Sequence, residues 1–172
     1  MSIDKEIIAR AKEGEEEAMS EMYIYYKDYV FRSAWFILGK REEAEDVMEN
    51  VFLKVFTKLH TFNMEKDFKP WLSRIILNES RNLYNKRKST YDNTELYLDG
   101  AKSSDFSLEE KMDIRRHLNR MDLGSKELIL MRFFQNLTIE EIARIKKITQ
   151  NNVKVRIHRA VKKLKESMQD NA

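Results

Sequence analysis

Apolar side chains recur at three- and four-residue spacing along most of the chain, the repeat of an amphipathic helix. Ile7, Ile8 and Ala11 share one side of a first helix over Ile3–Lys12, which Gly14 can end. Met19, Met22, Tyr23, Tyr26, Val30, Ala34 and Ile37 predict a second over 15–38, closed by Gly39. Ala44, Val47, Met48, Val51, Phe52, Val55 and Leu59 predict a third over 41–60. A polar loop studded with Phe62, Met64 and Phe68 comes next. Pro70 then stands where a first helical turn tolerates it, and Trp71, Leu72, Ile75, Ile76 and Leu83 carry a fourth helix into Lys86, Arg87 and Lys88.

The periodicity lapses from Ser89 to Asp105, where Asn93, Asp99-Gly100 and Ser103-Ser104 supply turn chemistry. The pattern thus predicts an N-terminal helical domain over 1–88, a linker over 89–105 and a C-terminal helical domain over 106–172. The second domain opens on Ser107-Leu108-Glu109-Glu110, a capping box, with Ile114, Leu118 and Met121 facing inward. The run 125–134, six of its ten residues apolar, is expected to be well buried. Thr138-Ile139-Glu140-Glu141 is a second capping box, opening a short helix with Ile139, Ile142, Ala143 and Ile145 inward. After a break near 147–149, Val153, Ile157, Ala160, Val161, Leu164 and Met168 share one face of a long helix. The fold class is all-α, with two small helical domains joined by a flexible linker. The order short helix, tight turn, long helix makes the second a helix-turn-helix.

Composition supports this reading. The chain has 172 residues, 42% of them hydrophobic, with only four Gly and one Pro, too few turn residues for a many-stranded sandwich or barrel. No Cys is present, which excludes a disulfide framework, a thiolate metal site and a Cys nucleophile, and fits a reducing cytoplasm. No apolar run reaches the roughly 20 residues that span a bilayer, and the first twelve residues do not form a signal-peptide core. A soluble cytoplasmic protein without membrane insertion is expected.

Charge changes the picture more. The net value of +3 hides segments of opposite sign. Residues 1–50 hold 7 basic and 13 acidic side chains, and residues 51–90 hold 9 and 3. Residues 91–110 hold 1 and 6, and residues 111–172 hold 15 and 7. Between Ile142 and Lys165 stand nine Lys or Arg and no carboxylate, a landing surface for a polyanion. On the polar side of the last helix, Asn151 can pair with adenine, Val155 can meet a thymine methyl, and Arg159 and Lys162 can donate to guanine edges or phosphates. A solvated cationic helix within a bundle gives the same charge pattern. Phe62, Phe68 and Trp71 beside Lys66, Lys69 and Arg74 suit unstacked single-stranded bases; all three rings also suit a core, which is the favoured reading for Phe68 and Trp71 because both fit an apolar helix face or its staple. Glu42, Glu45, Asp46 and Glu49 lie on one helix face at the spacing of a Mg²⁺-carboxylate site in helical nucleotide hydrolases, but such a site needs a second acidic helix opposite. The only other dense acidic run, Glu13–Glu17, straddles a predicted helix break, which favours a charged docking face. The three His are far apart, and no Gly-rich phosphate loop or Ser/His/Asp arrangement is visible, so no catalytic residue, metal or cofactor is expected.

These motifs also carry a resemblance. Thr138-Ile-Glu-Glu-Ile-Ala143, then Val153-Lys-Val-Arg-Ile-His-Arg-Ala160 and Lys163-Leu164, resemble the promoter-reading helix-turn-helix of bacterial RNA polymerase sigma factors. Glu43-Ala-Glu-Asp-Val47 with Val51-Phe52 resembles the sigma segment that docks on the polymerase clamp. Phe68-Lys-Pro-Trp-Leu72, Arg74-Ile75, Asn78 and Lys86-Arg-Lys88 resemble the segment that melts and captures the minus-ten element. With two blocks, a short linker and no middle domain, the chain is similar to the extracytoplasmic-function (ECF) group. It departs from the family at Lys147, where the turn usually has Gly, at Asn151-Asn152 in place of Gly-Thr, and at Glu49 and Asn82, where Gln and Asp are commoner.

The resemblance implies a non-enzymatic specificity subunit whose partners are core RNA polymerase, promoter DNA and an anti-sigma factor. It implies minus-35 contacts by Gln150, Asn151, Asn152, Lys154, Val155, Arg156, His158, Arg159, Lys162 and Lys163. Minus-ten contacts fall to Phe62, Asn63, Lys66, Phe68, Trp71, Arg74, Asn78, Asn82 and Lys86, and polymerase contacts to Glu42, Glu45, Asp46, Glu49 and Asn50. The alternatives are a stand-alone helix-turn-helix regulator, which should bind duplex DNA without polymerase, and a Mg²⁺-dependent all-helical nucleotide hydrolase.

Overall fold

The computed structural model describes residues 3–90 and 108–170, and every regular element among them is helical. The chain divides into two compact units, Met1–Thr94 and Glu95–Ala172. The first holds α1 (Ile3–Lys12), α2 (Glu16–Leu38), α3 (Arg41–Lys58) with a 3₁₀ turn at Leu59–Thr61, and α4 (Phe68–Thr90). The second holds α5 (Leu108–Arg120), α6 (Leu123–Ile129) widening into a π-helical turn at Leu130–Phe134, α7 (Ile139–Lys146) and α8 (Gln150–Gln169). Helix α4 runs two residues past the expected domain end at 88. The rest of the expected linker and Ser107 of the first capping box lie outside the described residues.

In the N-terminal unit the apolar stripes meet as their spacing requires. Helix α2 packs against α1, α3 and α4, and α3 packs against α4. Ile8, Ala11, Met22, Val30, Ala34, Val47, Val51, Val55, Leu72 and Ile76 are almost completely buried where these faces converge. Gly39 ends α2 at φ 76°, and its N–H donates to the Trp35 carbonyl at 2.9 Å, a left-handed cap that a Cβ would strain. Bonds between sequence-distant residues then lock the layers. Lys12 Nζ donates to the Phe62 carbonyl at 2.7 Å, Tyr29 Oη and Ser73 Oγ lie 3.0 Å apart, and Lys54 pairs with Glu79 between α3 and α4. Arg87 donates to the Leu38 carbonyl at 3.1 Å and to Glu43 Oε2 at 3.0 Å, with its guanidinium over the Tyr84 ring. It clamps the end of α2 and the start of α3 onto α4.

In the C-terminal unit α5, α6 and α7 all pack on α8. Leu118, Leu128, Ile129, Leu130, Met131, Ile142, Val153 and Ala160 are buried there. The run 125–134 is not buried throughout as expected: residues 126–131 are buried, the charged pair Lys126 and Glu127 included, while Arg132 faces solvent. Phe133 and Phe134 are 53% and 61% exposed. A helix offers the core one face, so apolar side chains that fall on its other side turn outward. The π-helical turn, in which the Gln135 N–H donates to the Leu130 carbonyl at 2.9 Å, adds a residue to the ring and rotates the facing of the residues beyond it. Among the described residues no helix is long and apolar enough to cross a membrane.

Candidate DNA and polymerase surfaces

Side-chain caps and one buried ion pair set the geometry of the helix-turn-helix. Thr138 Oγ1 accepts from the Glu141 N–H at 3.1 Å while Glu141 returns its carboxylate to the Thr138 N–H at 2.7 Å, so the capping box forms in full. Thr149 Oγ1 accepts from the Asn152 N–H at 3.1 Å and starts α8. Between them Lys147 sits at φ 55°, ψ 44°, its N–H donating to the Ala143 carbonyl. For an L residue this left-handed conformation costs about 1–2 kcal/mol. Beneath the turn, Lys146 pairs with Glu127, which is only 1% exposed, tying α7 to α6. At the far end His117 Nδ1 meets Ser167 Oγ between α5 and α8. Burial pulls the neighbouring Arg115 guanidinium down to about 10.

Helix α8 has the two faces its sequence predicts. Val153, Ile157 and Ala160 are buried, Val161 and Leu164 half-buried. Met168, on the same predicted stripe, is 40% exposed. The opposite face turns Asn151, Lys154, Val155, Arg156, His158, Arg159, Lys162 and Lys163 to solvent, with Gln150 exposed and Asn152 half-buried at its start. Some of these groups are already held. Arg156 Nε donates to Asn152 Oδ1 at 2.9 Å, Lys162 lies 3.9 Å from Glu166, and Lys163 lies 3.7 Å from Asp122. Asp122 also caps α6 by accepting from the Ser125 N–H at 3.0 Å. Burial would raise the Asp122 carboxyl, but the Ser125 bonds and the Lys163 ammonium outweigh it and hold it below its usual range.

In the N-terminal unit, Phe62 and Phe68 are core. Their rings lie 5.4 Å apart, 5.3 and 5.4 Å from Trp71, and Phe68 is 5.1 Å from Tyr26. Of the two readings left open for these aromatics, burial decides for the core at Phe62 and Phe68 in this conformation, and Trp71 alone is half-exposed. Asn63 and Lys66 are exposed in the loop, where Asn63 Oδ1 accepts from the Glu65 N–H at 2.9 Å. Arg74, Asn78, Asn82 and Lys86, four residues apart, form an exposed polar stripe along α4. Lys69 sits 6.0 Å from the Tyr29 ring.

Helix α3 exposes Glu42, Asp46, Glu49 and Asn50, with Glu45 half-buried and paired to Arg41 at 3.0 Å. A shallow cleft between α3 and α4 gathers Asp46, Glu49 and Asn50 with Glu79, Asn82 and Lys86, so residues predicted for polymerase and for the minus-ten element share one opening. What stands opposite the α3 carboxylates is amide and ammonium, with Glu79 already paired to Lys54. Among the described residues no group of three His, Asp or Glu is placed to hold a metal ion.

Nothing in the sequence pattern marks the clamp role of Arg87, which stands in a basic cluster, or the buried Glu127, whose partner Lys146 lies 19 residues on.

A helical body joined in one chain to a helix-turn-helix with a cationic outward face is the build of a DNA-binding protein. Comparison with known families sharpens it. Residues 22–90 match Sigma-70 region 2 and residues 111–164 match Sigma-70, region 4, together most of the chain and in the family's order. The ECF RNA polymerase sigma factor SigW of Bacillus subtilis is 25% identical over 96% of this chain and 97% of its own. The ECF factor BldN of Streptomyces coelicolor is 27% identical over 97% of this chain and 66% of its own. Among solved structures, CnrH in complex with the cytosolic domain of CnrY superposes with a TM-score of 0.77 at 22% identity, over 98% of this chain and 99% of that one. The factor RpoE bound to NepR from Bartonella quintana gives 0.75 at 21% identity, over 87% and 96%. The chain belongs to the sigma-70 family of RNA polymerase sigma factors, in its ECF group.

Proposed function

We propose a division of labour within this sigma factor. The N-terminal unit docks on core RNA polymerase through Glu42, Glu45, Asp46, Glu49 and Asn50. It captures the opened minus-ten element through Asn63, Lys66, Trp71 and the stripe Arg74, Asn78, Asn82 and Lys86. The C-terminal unit reads the minus-35 element by laying α8 in the major groove, from Gln150 to Lys163. The observation that carries this reading is the sidedness of α8, apolar residues inward and eight polar, cationic or methyl-bearing residues outward, behind an intact capped turn. The factor works in the cytoplasm and performs no covalent chemistry of its own. Two structural relatives are held by protein partners, CnrY and NepR, the latter named an anti-sigma factor, and an inhibitor of that kind suits this chain.

In vitro transcription with core polymerase tests the whole. Specific initiation from a subset of genomic templates is expected, and no initiation from any template would overturn it.

The acidic face of α3 yields a separate expectation. A surface carrying Glu42, Asp46 and Glu49 repels phosphates and suits a basic or polar protein partner. Asp46→Lys should lower affinity for core polymerase tenfold or more, about 1.4 kcal/mol, by placing like charges together. Binding of the full chain to duplex DNA should be unchanged or slightly stronger. Fluorescence titration with labelled protein measures both.

A further inference from the structure

The turn of the helix-turn-helix places a long cationic side chain where the backbone favours none. Lys147 lies in the left-handed region at φ 55°, which glycine enters freely and a Cβ resists. A residue kept in a costly conformation is a reason to look for what its side chain does. Its neighbours do internal work. Lys146 pairs with the buried Glu127, Arg144 pairs with Glu140, and Arg156 donates to Asn152. Lys147 is exposed, and no carboxylate among the described residues lies within ion-pair distance of it. In this it matches Lys154 and Arg159 on the outward face of α8. Its charge does favour the C-terminal dipole of α7, but an exposed dipole contact is weak and screened.

Lys147 stands two residues before Thr149, the cap of α8. When the N-terminal end of a recognition helix enters a major groove, the segment just before it crosses the groove's edge, where phosphates line both sides. We propose that Lys147 is a phosphate contact, extending the DNA interface from α8 onto the turn and adding sequence-independent affinity. The inference rests on the reading of α8 as the DNA-binding helix.

The test uses the full chain, a labelled mixed-sequence DNA duplex and a salt series, with Lys147→Gly, Lys147→Asn and Lys147→Arg. Gly and Asn both accept the left-handed turn, so these variants should melt at or above the wild-type temperature. Both should bind about three- to tenfold more weakly at 0.1 M salt, and the slope of log affinity against log salt should fall by about 0.9. Lys147→Arg should restore slope and affinity. Unchanged slopes in the Gly and Asn variants, with stability kept or raised, would overturn the phosphate contact and leave a purely structural lysine. A wild-type chain with no salt-dependent binding at all would overturn the DNA reading of α8 along with it.

Discussion

Glu127→Ala destabilises the C-terminal unit by about 3–5 kcal/mol, the cost of stranding a buried charge. Glu127 is 1% exposed and Lys146 reaches it from the last turn of α7, so removing the carboxylate leaves a mostly buried ammonium without this partner. The damage lands where α6 meets the helix-turn-helix, and α7 loses its tie to α6 while the N-terminal unit is untouched. The chain offers a way to see this separation. Its only tryptophans, Trp35 and Trp71, both belong to the N-terminal unit. In denaturant unfolding, tryptophan fluorescence should report an unshifted transition, while the helical circular dichroism signal loses its C-terminal share at lower denaturant. Glu127→Met combined with Lys146→Met should recover much of the loss, since an apolar pair of similar volume replaces a buried ionic one at little cost. Coincident shifts of both signals would mean that the units do not unfold separately.

Arg159→Ala should cost on the order of 1–3 kcal/mol on the cognate promoter duplex and blur discrimination at one base pair, as loss of a bidentate base contact does. Arg159 is exposed on the face opposite Val153, Ile157 and Ala160. Lys163→Ala should instead weaken cognate and scrambled duplexes alike. Its ammonium lies 3.7 Å from Asp122, so part of its charge is already answered, and the salt slope should fall by at most about one unit. Binding to matched and scrambled duplexes over a salt series separates the two. A uniform, sequence-independent loss from Arg159→Ala would mean that α8 presents a different face to the groove.

The helices were legible because each apolar stripe had one partner face to meet. Val153, Ile157 and Ala160 are buried where the period put them, and Thr138 caps α7 as Thr-x-x-Glu foretells. Less legible was anything decided by what packs on top. Phe133 and Phe134 are apolar and face solvent, and Met168 continues the period of a buried stripe and is exposed. Phe62 suited base stacking as well as a core, and its ring contact with Trp71 and its burial show it packed inside, as Phe68 is against Tyr26; Trp71, whose spacing favoured the core, is left half-exposed. Arg87 lay within three successive cations, and its contact 49 residues upstream with the end of α2 leaves no trace in local spacing.

That clamp bears on the order in which the protein acquires its shape during synthesis. Lys12 to Phe62, Tyr29 to Ser73 and Arg87 to Leu38 and Glu43 join residues 44 to 50 positions apart. The N-terminal unit therefore cannot close on the ribosome while α4 is still inside the exit tunnel, and Arg87 is the last piece to arrive. The residues that line the cleft between α3 and α4 all belong to the N-terminal unit. A nascent chain thus completes the surface assigned here to polymerase before its helix-turn-helix has been made.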